Sequence, residues 1–160
     1  MSHIAGTVLD LLKSQGLSLG VVESATGGLI SHLITNIPGS SDGYKGGVTA
    51  YANETKARVL GVSAATLARC GAVSAEVASE MALGGQRALN VDICLSDTGI
   101  AGPGGATPDK PVGLFYMGLA YGDTVISRKY LFCGSREEIK DAAAEAGLVW
   151  LQEHLSGRLL

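Results

Sequence analysis

The stretch "VVESATGGLISHLI" (residues 21–34) decides the fold of this chain. An apolar run typical of a buried strand ends at Glu23, two hydroxyl residues and two glycines follow, and a helical pattern then covers residues 27–36. Thr26 is predicted to be the N-cap of this helix. The stretch therefore predicts a strand–turn–helix unit, and it leaves open whether Ser24 reacts or only helps the chain to turn.

The same alternation continues on both sides of this unit. Gly122-Asp123 joins the last two predicted strands as a hairpin, and Asn53 and Ser135 are predicted helix caps. We predict one α/β/α domain over residues 1–160, with a mixed, largely parallel sheet and helices on both faces. The predicted strands are 17–23, 46–52, 92–98, 112–122 and 124–132, and the predicted helices are 3–15, 27–36, 53–62, 74–89 and one that starts at 135.

The composition narrows the function classes. With 160 residues, 46% apolar and 17% charged, the chain suits a single globular domain. A net charge of −3 gives no reason to expect nucleic acid or an anionic membrane as a partner. No secretory signal or membrane span is recognisable, and Cys70, Cys94 and Cys133 are too scattered for a disulfide framework or a metal site. We therefore expect a cytoplasmic protein.

Three segments lie at the ends of predicted strands: "ESATGG" (23–28), "YANETK" (51–56) and "TGIAGPGG" (98–105). Ligands of open α/β sheets bind beyond the carboxyl ends of the strands, so we expect these segments to share a site. The backbone N–H groups of the helix after "ESATGG" would stabilise an anion or an oxyanion beside Ser24. The alternative is that Ser24 and Thr26 only form the turn.

The other polar residues also allow two interpretations each. A buried Lys56 with a lowered pKa would take a proton from a serine, with Tyr51 assisting, or both residues are merely structural. No His–Asp pair accompanies a serine motif, which leaves the serine–lysine arrangement available. The "TGIAGPGG" loop either binds a ligand through its backbone N–H groups or is only a structural crossover connection. Arg136, in the first turn of a helix, opposes the helix dipole and therefore either binds an anion or is an ordinary surface residue.

Taken together, the segments resemble the C-terminal domain family of the competence-damage-inducible protein CinA, which includes stand-alone nicotinamide-nucleotide amidases. The resemblance extends from about residue 5 to about residue 155. The matching segments are "ESATGG", "PGSS" (38–41), "YANETK", "LGV" (60–62), "GAVS" (71–74), "TGIAGPGG" and "KPVG" (110–113).

The resemblance implies hydrolysis of the carboxamide of nicotinamide mononucleotide to nicotinic acid mononucleotide and ammonia, without a metal or a cofactor. It implies that Ser24 is the nucleophile, Lys56 the general base and Tyr51 an assisting hydroxyl, and that Arg136 holds the substrate phosphate or orients it. The substrate-binding residues expected on this basis are Thr26, Gly27, Gly28, Ser41, Thr98, Gly99, Gly102 and Arg136.

Two positions depart from the family pattern: Ala25 stands where cysteine is usual, and Ala52 where serine is common. Two other hypotheses therefore remain, a non-catalytic nucleotide-binding module and a structural interaction domain. The expected ligand is a small pyridine nucleotide. We also expect a homo-oligomer, a dimer or larger, with the small-residue helix face over residues 77–85 as a candidate interface.

Overall fold

One mixed sheet of five strands organises the molecule, in a computed structural model that describes residues 2–157. The strand order is β2-β1-β3-β4-β5. The strands are β1 (Leu19–Glu23), β2 (Tyr44–Thr49), β3 (Ile93–Gly99), β4 (Leu114–Tyr121) and β5 (Thr124–Leu131). β1 is parallel to both of its neighbours, whereas β4 is antiparallel to both of its own. The predicted α/β/α class with a mixed sheet is confirmed, although two of the four strand pairs are antiparallel and the sheet is therefore not largely parallel. The predicted domain ends at residues 1 and 158–160 lie outside the described residues.

Helices cover both faces of the sheet. They are α1 (Ser2–Gln15), α2 (Leu29–Thr35), α3 (Asn53–Leu60), α4 (Ala64–Cys70), α5 (Ala75–Leu89) and α6 (Arg136–Leu155). α1, α2 and α6 pack together around the larger apolar core, which includes Leu95 and Trp150. α5 packs on the opposite face with α3 and α4 around a smaller core that includes Val22 and Met81. No helix in the described range combines the length and the apolar character that crossing a membrane requires.

The helix starts confirm one predicted cap and overturn two others. Ser135 caps α6 through a capping box with Glu138. The prediction that Thr26 caps α2 is wrong, because the helix begins at Leu29 behind Gly28 and the Thr26 hydroxyl contacts buried carboxylates. The prediction that Asn53 caps α3 is also wrong: Asn53 is the first helical residue.

The small-residue face of α5 is an internal surface. A Cβ atom on Gly84 would lie 1.9 Å from the carbonyl oxygen of Leu60, and one on Gly85 would collide with Val22 and Cys94. The glycines therefore let α5 approach α3 and the sheet closely. The proposal that this face forms a dimer interface is wrong, since the fold already buries it; the homo-oligomer itself stays a prediction.

The carboxyl ends of the three parallel strands meet at one edge of the sheet. β1 leads there into the turn before α2, β2 into α3, and β3 into the glycine-rich loop. The first residue of α6 joins the same edge, because Arg136 donates a hydrogen bond to the carbonyl oxygen of Gly102. Four segments that are distant in sequence are thereby brought together.

Candidate active site

A serine–lysine pair lies at this edge of the sheet. Lys56 Nζ is 2.9 Å from Ser24 Oγ and 3.0 Å from the carbonyl oxygens of both Ala50 and Tyr51. Both side chains are buried, with 7% of Ser24 and 2% of Lys56 exposed. Lys56 lies in the first turn of α3, whereas Ser24 directly follows β1. The two chain segments therefore place an amine in direct contact with a hydroxyl.

Burial shifts Lys56 towards its neutral form. It lowers the pKa of Lys56, because the ammonium loses its hydration, and Asp97 opposes this effect when its carboxyl group is ionised. Within residues 2–157 Lys56 makes no salt bridge. A neutral amine has two N–H groups and one lone pair. In the ammonium form Lys56 donates to all three oxygens, whereas in the neutral form its two N–H groups satisfy the two carbonyl oxygens and its lone pair accepts the Ser24 hydroxyl hydrogen.

The N-terminus of α2 is occupied by the protein's own carboxylate. The buried Glu23 side chain accepts hydrogen bonds from the backbone N–H groups of Gly28, Ile30 and Ser31 at 2.8–3.0 Å, and from the Ser31 hydroxyl at 2.7 Å. This corrects the expectation that these N–H groups face an anionic ligand. A carboxylate of the preceding strand satisfies them because the glycine turn folds the helix start back over Glu23.

Asp97 is a second buried carboxyl group that the sequence analysis did not single out. Its side chain is fully buried and accepts hydrogen bonds from the backbone N–H groups of Ser24 at 3.3 Å and Thr26 at 3.1 Å. Burial, strengthened by the charge of Glu23, raises the pKa of Asp97 to about 7. One signal was available in the sequence: an acidic residue near the end of an otherwise uncharged buried strand.

A cavity of about 280 Å³ opens beside the serine–lysine pair. Arg136 lies at its mouth, where its guanidinium donates to the Gly102 carbonyl oxygen at 2.6 Å and to the Tyr51 hydroxyl at 3.1 Å. No carboxylate in the described range pairs with Arg136. Its remaining N–H groups are therefore available to an anionic ligand. The residues lining the cavity include Ser24, Ala25, Tyr51, Asn53, Lys56, Ala72, Val73, Thr98, Gly99, Gly102 and Arg136.

Tyr51 lies in the cavity but its hydroxyl does not join the reactive pair. The ring is 62% exposed, and within residues 2–157 the hydroxyl bonds Arg136 and not Ser24 or Lys56. The contact of Tyr51 with Lys56 is made by its carbonyl oxygen instead. In this arrangement the phenol belongs to the arginine end of the cavity, which differs from the assisting role inferred from the resemblance.

Residues of the "TGIAGPGG" segment line the cavity and also hold neighbouring parts of the fold together. Thr98 donates its hydroxyl hydrogen to the carbonyl oxygen of Ala72 at 2.8 Å, which holds the loop before α5 against β3. A Cβ atom on Gly99 would lie 2.4 Å from the Phe115 ring, and one on Gly102 would meet Val112. These two glycines therefore permit close packing as well as an open cavity.

Four expected substrate-binding residues lie away from the cavity. Thr26, Gly27 and Gly28 line a separate cavity between α2 and α6, because the turn directs them to the opposite side of Ser24. Ser41 is exposed in the short 3₁₀ turn Ser40–Asp42, just before β2 begins, and thus at the amino end of the parallel strands. The fold of one chain therefore separates Ser41 from Ser24.

The fold and the site define a class: an α/β domain that holds a buried serine–lysine pair at the carboxyl edge of its sheet. The family model of the CinA C-terminal domain matches residues 1–155. The chain belongs to this family. It is 46% identical over 152 residues to a CinA-like protein of Syntrophomonas wolfei, a match that covers 95% of this chain and 36% of the relative.

A second relative, a CinA-like protein of Geobacter sulfurreducens, is 45% identical over 148 residues, covering 92% of this chain and 36% of the relative. The chain thus spans about a third of the length of the curated relatives that it matches.

Solved structures match over nearly the whole described fold. The competence/damage inducible protein CihA from Agrobacterium tumefaciens has a TM-score of 0.93 at 34% identity, with 97% of this chain and 94% of that chain covered. A CinA superfamily protein from Klebsiella pneumoniae 700603 has a TM-score of 0.95 at 28% identity, with 98% of each chain covered. The family and the fold therefore agree with the resemblance read from the sequence.

Proposed function

We propose that the protein hydrolyses the carboxamide of nicotinamide mononucleotide to nicotinic acid mononucleotide and ammonia. The observation that carries this proposal is the 2.9 Å contact between Ser24 Oγ and the buried Lys56 Nζ. An amide is a poor acyl donor, so its hydrolysis requires an activated nucleophile. A lysine that stays neutral beside a serine meets this requirement, and a non-catalytic binding module would have no need of the pair.

In the proposed first half-reaction, Ser24 Oγ attacks the carboxamide carbon while its hydroxyl proton passes to the lone pair of Lys56. The tetrahedral intermediate collapses when the C–N bond breaks, and Lys56 returns the proton to the departing nitrogen. This releases ammonia and leaves an acyl ester on Ser24. In the second half-reaction Lys56 takes a proton from water, hydroxide attacks the ester carbonyl, and the Ser24 alkoxide is reprotonated as the acid leaves.

The backbone N–H of Ala25 is our candidate for stabilising the oxyanion. It directly follows the nucleophile, Ala25 lines the cavity, and no group within residues 2–157 accepts a hydrogen bond from this N–H. This donor replaces the α2 N-terminal N–H groups, which Glu23 occupies. An amide hydrogen belongs to the backbone, so the alanine at this position is compatible with the role.

The proposal is tested by ammonia release from nicotinamide mononucleotide, combined with mass spectrometry after an acid quench. The wild-type protein should release ammonia and carry the acyl group on Ser24 during turnover. Ser24→Ala should lose both signals, whereas Ser14→Ala, a change at an exposed serine on α1, should retain them. Ammonia release by Ser24→Ala would exclude the serine mechanism, and binding without release by the wild type would favour the non-catalytic module.

The phosphate is proposed to bind Arg136, which predicts a difference between two substrates. Arg136→Gln should raise KM for nicotinamide mononucleotide by about 10- to 100-fold, the effect of losing a hydrogen-bonded charge. The same change should leave KM for the phosphate-free nucleoside nearly unaltered. Steady-state kinetics with both compounds measure this. Equal effects on the two substrates would show that Arg136 does not bind the phosphate.

A further inference from the structure

The hydrogen bonds around Thr26 require a proton that its own hydroxyl does not supply. Thr26 Oγ1 is 2.6 Å from Glu23 Oε2 and 2.5 Å from Asp97 Oδ2. A threonine hydroxyl carries a single hydrogen, so it donates to one of these oxygens. The other short contact joins two oxygens and needs a hydrogen from the carboxyl group.

Glu23 is not the source of that hydrogen. Its two carboxyl oxygens already face the backbone N–H groups of Gly28, Ile30 and Ser31 and the hydroxyl of Ser31. Backbone N–H groups act only as donors, so both Glu23 oxygens act as acceptors in these contacts. Asp97 Oδ2 faces a single backbone N–H, that of Ser24 at 3.3 Å, whereas Glu23 Oε2 faces two at 3.0 Å. The proton therefore lies on Asp97, which donates to Thr26, and Thr26 donates to Glu23.

We propose that Asp97 is a neutral carboxylic acid in the resting protein, and that it positions the Ser24 turn while placing no negative charge beside Lys56. Asp97 holds the turn through the N–H groups of Ser24 and Thr26. An ionised Asp97 would stabilise the ammonium form of Lys56, which has no lone pair for the serine proton. Asp97 is therefore a positioning residue that helps Lys56 to stay unprotonated, which the proposed function requires.

Other charged groups approach this cluster from the packed elements. Glu23, on β1, raises the pKa of Asp97 through its charge. Lys56, on α3, is the group whose pKa an ionised Asp97 raises. α2 carries His32 and α6 carries Lys140, which both line the neighbouring cavity with Thr26. On β4, the residue paired with Asp97 is the uncharged Met117.

Infrared spectroscopy tests the protonation state without reference to activity. At pH about 6, below the raised pKa of about 7, the wild type should show the C=O band of a protonated carboxylic acid. Asp97→Asn should remove this band. Asp92→Asn should not, because hydrogen bonds from Ser18 lower the pKa of the exposed Asp92. A wild-type spectrum without the band, or a band that survives in Asp97→Asn, would overturn the proposal.

The pH dependence of ammonia release tests the effect on Lys56 and rests on the proposed function. The amide introduced by Asp97→Asn imitates a neutral acid at two of three contacts, since its N–H₂ donates to the Thr26 hydroxyl and its oxygen accepts the Thr26 N–H. The Ser24 N–H, which donates to Oδ2 in the wild type, loses its acceptor. This variant should therefore keep activity within about tenfold and leave the midpoint of the acidic limb of kcat/KM unchanged. A shift of that midpoint to lower pH would mean that Asp97 is normally ionised, which contradicts the proposal. Absence of activity in the wild type would refute the proposed function, and the infrared result would stand by itself.

Discussion

The β1–α2 and β2–α3 junctions lie side by side at one edge of the sheet, yet they satisfy their polar groups in opposite ways. At the first junction Glu23 accepts hydrogen bonds from the N–H groups at the start of α2, and residues 23–26 are buried. At the second, α3 begins behind Ala52 with no side-chain cap, and the backbone carbonyls of Ala50 and Tyr51 face Lys56.

This difference explains how the reactive pair is assembled. The first junction is closed by internal hydrogen bonds and presents a fixed Ser24 hydroxyl. The second junction directs carbonyl dipoles at an amine, which orients the lone pair of neutral Lys56 towards that hydroxyl. A hydroxyl and an amine in contact thus come from two junctions of the same strand-to-helix type, because the first binds a carboxylate and the second binds an amine.

The largest expected effect is the loss of the base at the second junction. Lys56→Met keeps most of the length of the side chain and should reduce kcat for ammonia release by about 10³-fold, within the range of general-base catalysis. Lys45→Met, at an exposed lysine on β2, should leave kcat unchanged and is the matched control. Steady-state assays with circular dichroism as a folding check measure both variants. Near-normal kcat in folded Lys56→Met would show that the amine does not take the serine proton.

Breaking the first junction should chiefly reduce stability. Glu23→Gln turns an amide N–H₂ towards backbone donors and should lower the free energy of unfolding by about 3 kcal/mol, or the Tm by roughly 6 to 12 °C. Glu54→Gln, the exposed acidic residue in the first turn of α3, should change stability by less than about 0.5 kcal/mol. Urea unfolding measures both. Equal stabilities would mean that the two junctions do not differ energetically.

The pH dependence of activity and of stability should both reflect the lowered pKa of Lys56 at the second junction. Because the pKa of Lys56 is lowered and the neutral amine is the active form, kcat/KM should fall tenfold per pH unit below that pKa. The unfolded chain binds the proton more tightly, so wild-type stability should rise with pH between the lowered pKa and 10.5, by up to about 1.4 kcal/mol per unit. Lys56→Met should lack this rise in urea unfolding. A wild-type profile as flat as that of the variant would contradict the lowered pKa.

The smallest expected effect comes from adding the missing cap to the second junction. Ala52 already has the extended backbone of an N-cap residue, with φ −80° and ψ 152°. Ala52→Ser should therefore raise the free energy of unfolding by about 1 kcal/mol through a new hydrogen bond to the helix start. Ala52→Val lacks an acceptor and should not stabilise. If serine and valine behaved alike in urea unfolding, capping would not limit this helix.

Periodicity predicted most of the elements, because apolar spacing reports which face of a helix or strand is buried. It placed α5, the β4–β5 hairpin and the capped start of α6 correctly. It missed α4, whose seven residues are too short for a clear period. It also predicted wrongly that Thr26 caps α2, because a local pattern does not show that the carboxyl groups of Glu23 and Asp97 both contact the Thr26 hydroxyl.

The sequence by itself determined the family, the mixed α/β fold and the segments that form the site, since local spacing and the three strand-end motifs are written in consecutive residues. The tertiary structure decided the chemistry of those segments. It placed Lys56 beside Ser24, brought Glu23 and Asp97 together under Thr26, and separated Ser41 from the cavity. The reason is that desolvation and hydrogen-bond competition depend on groups that the sheet brings together from distant parts of the chain, such as Ser24 and Asp97, which are 73 positions apart.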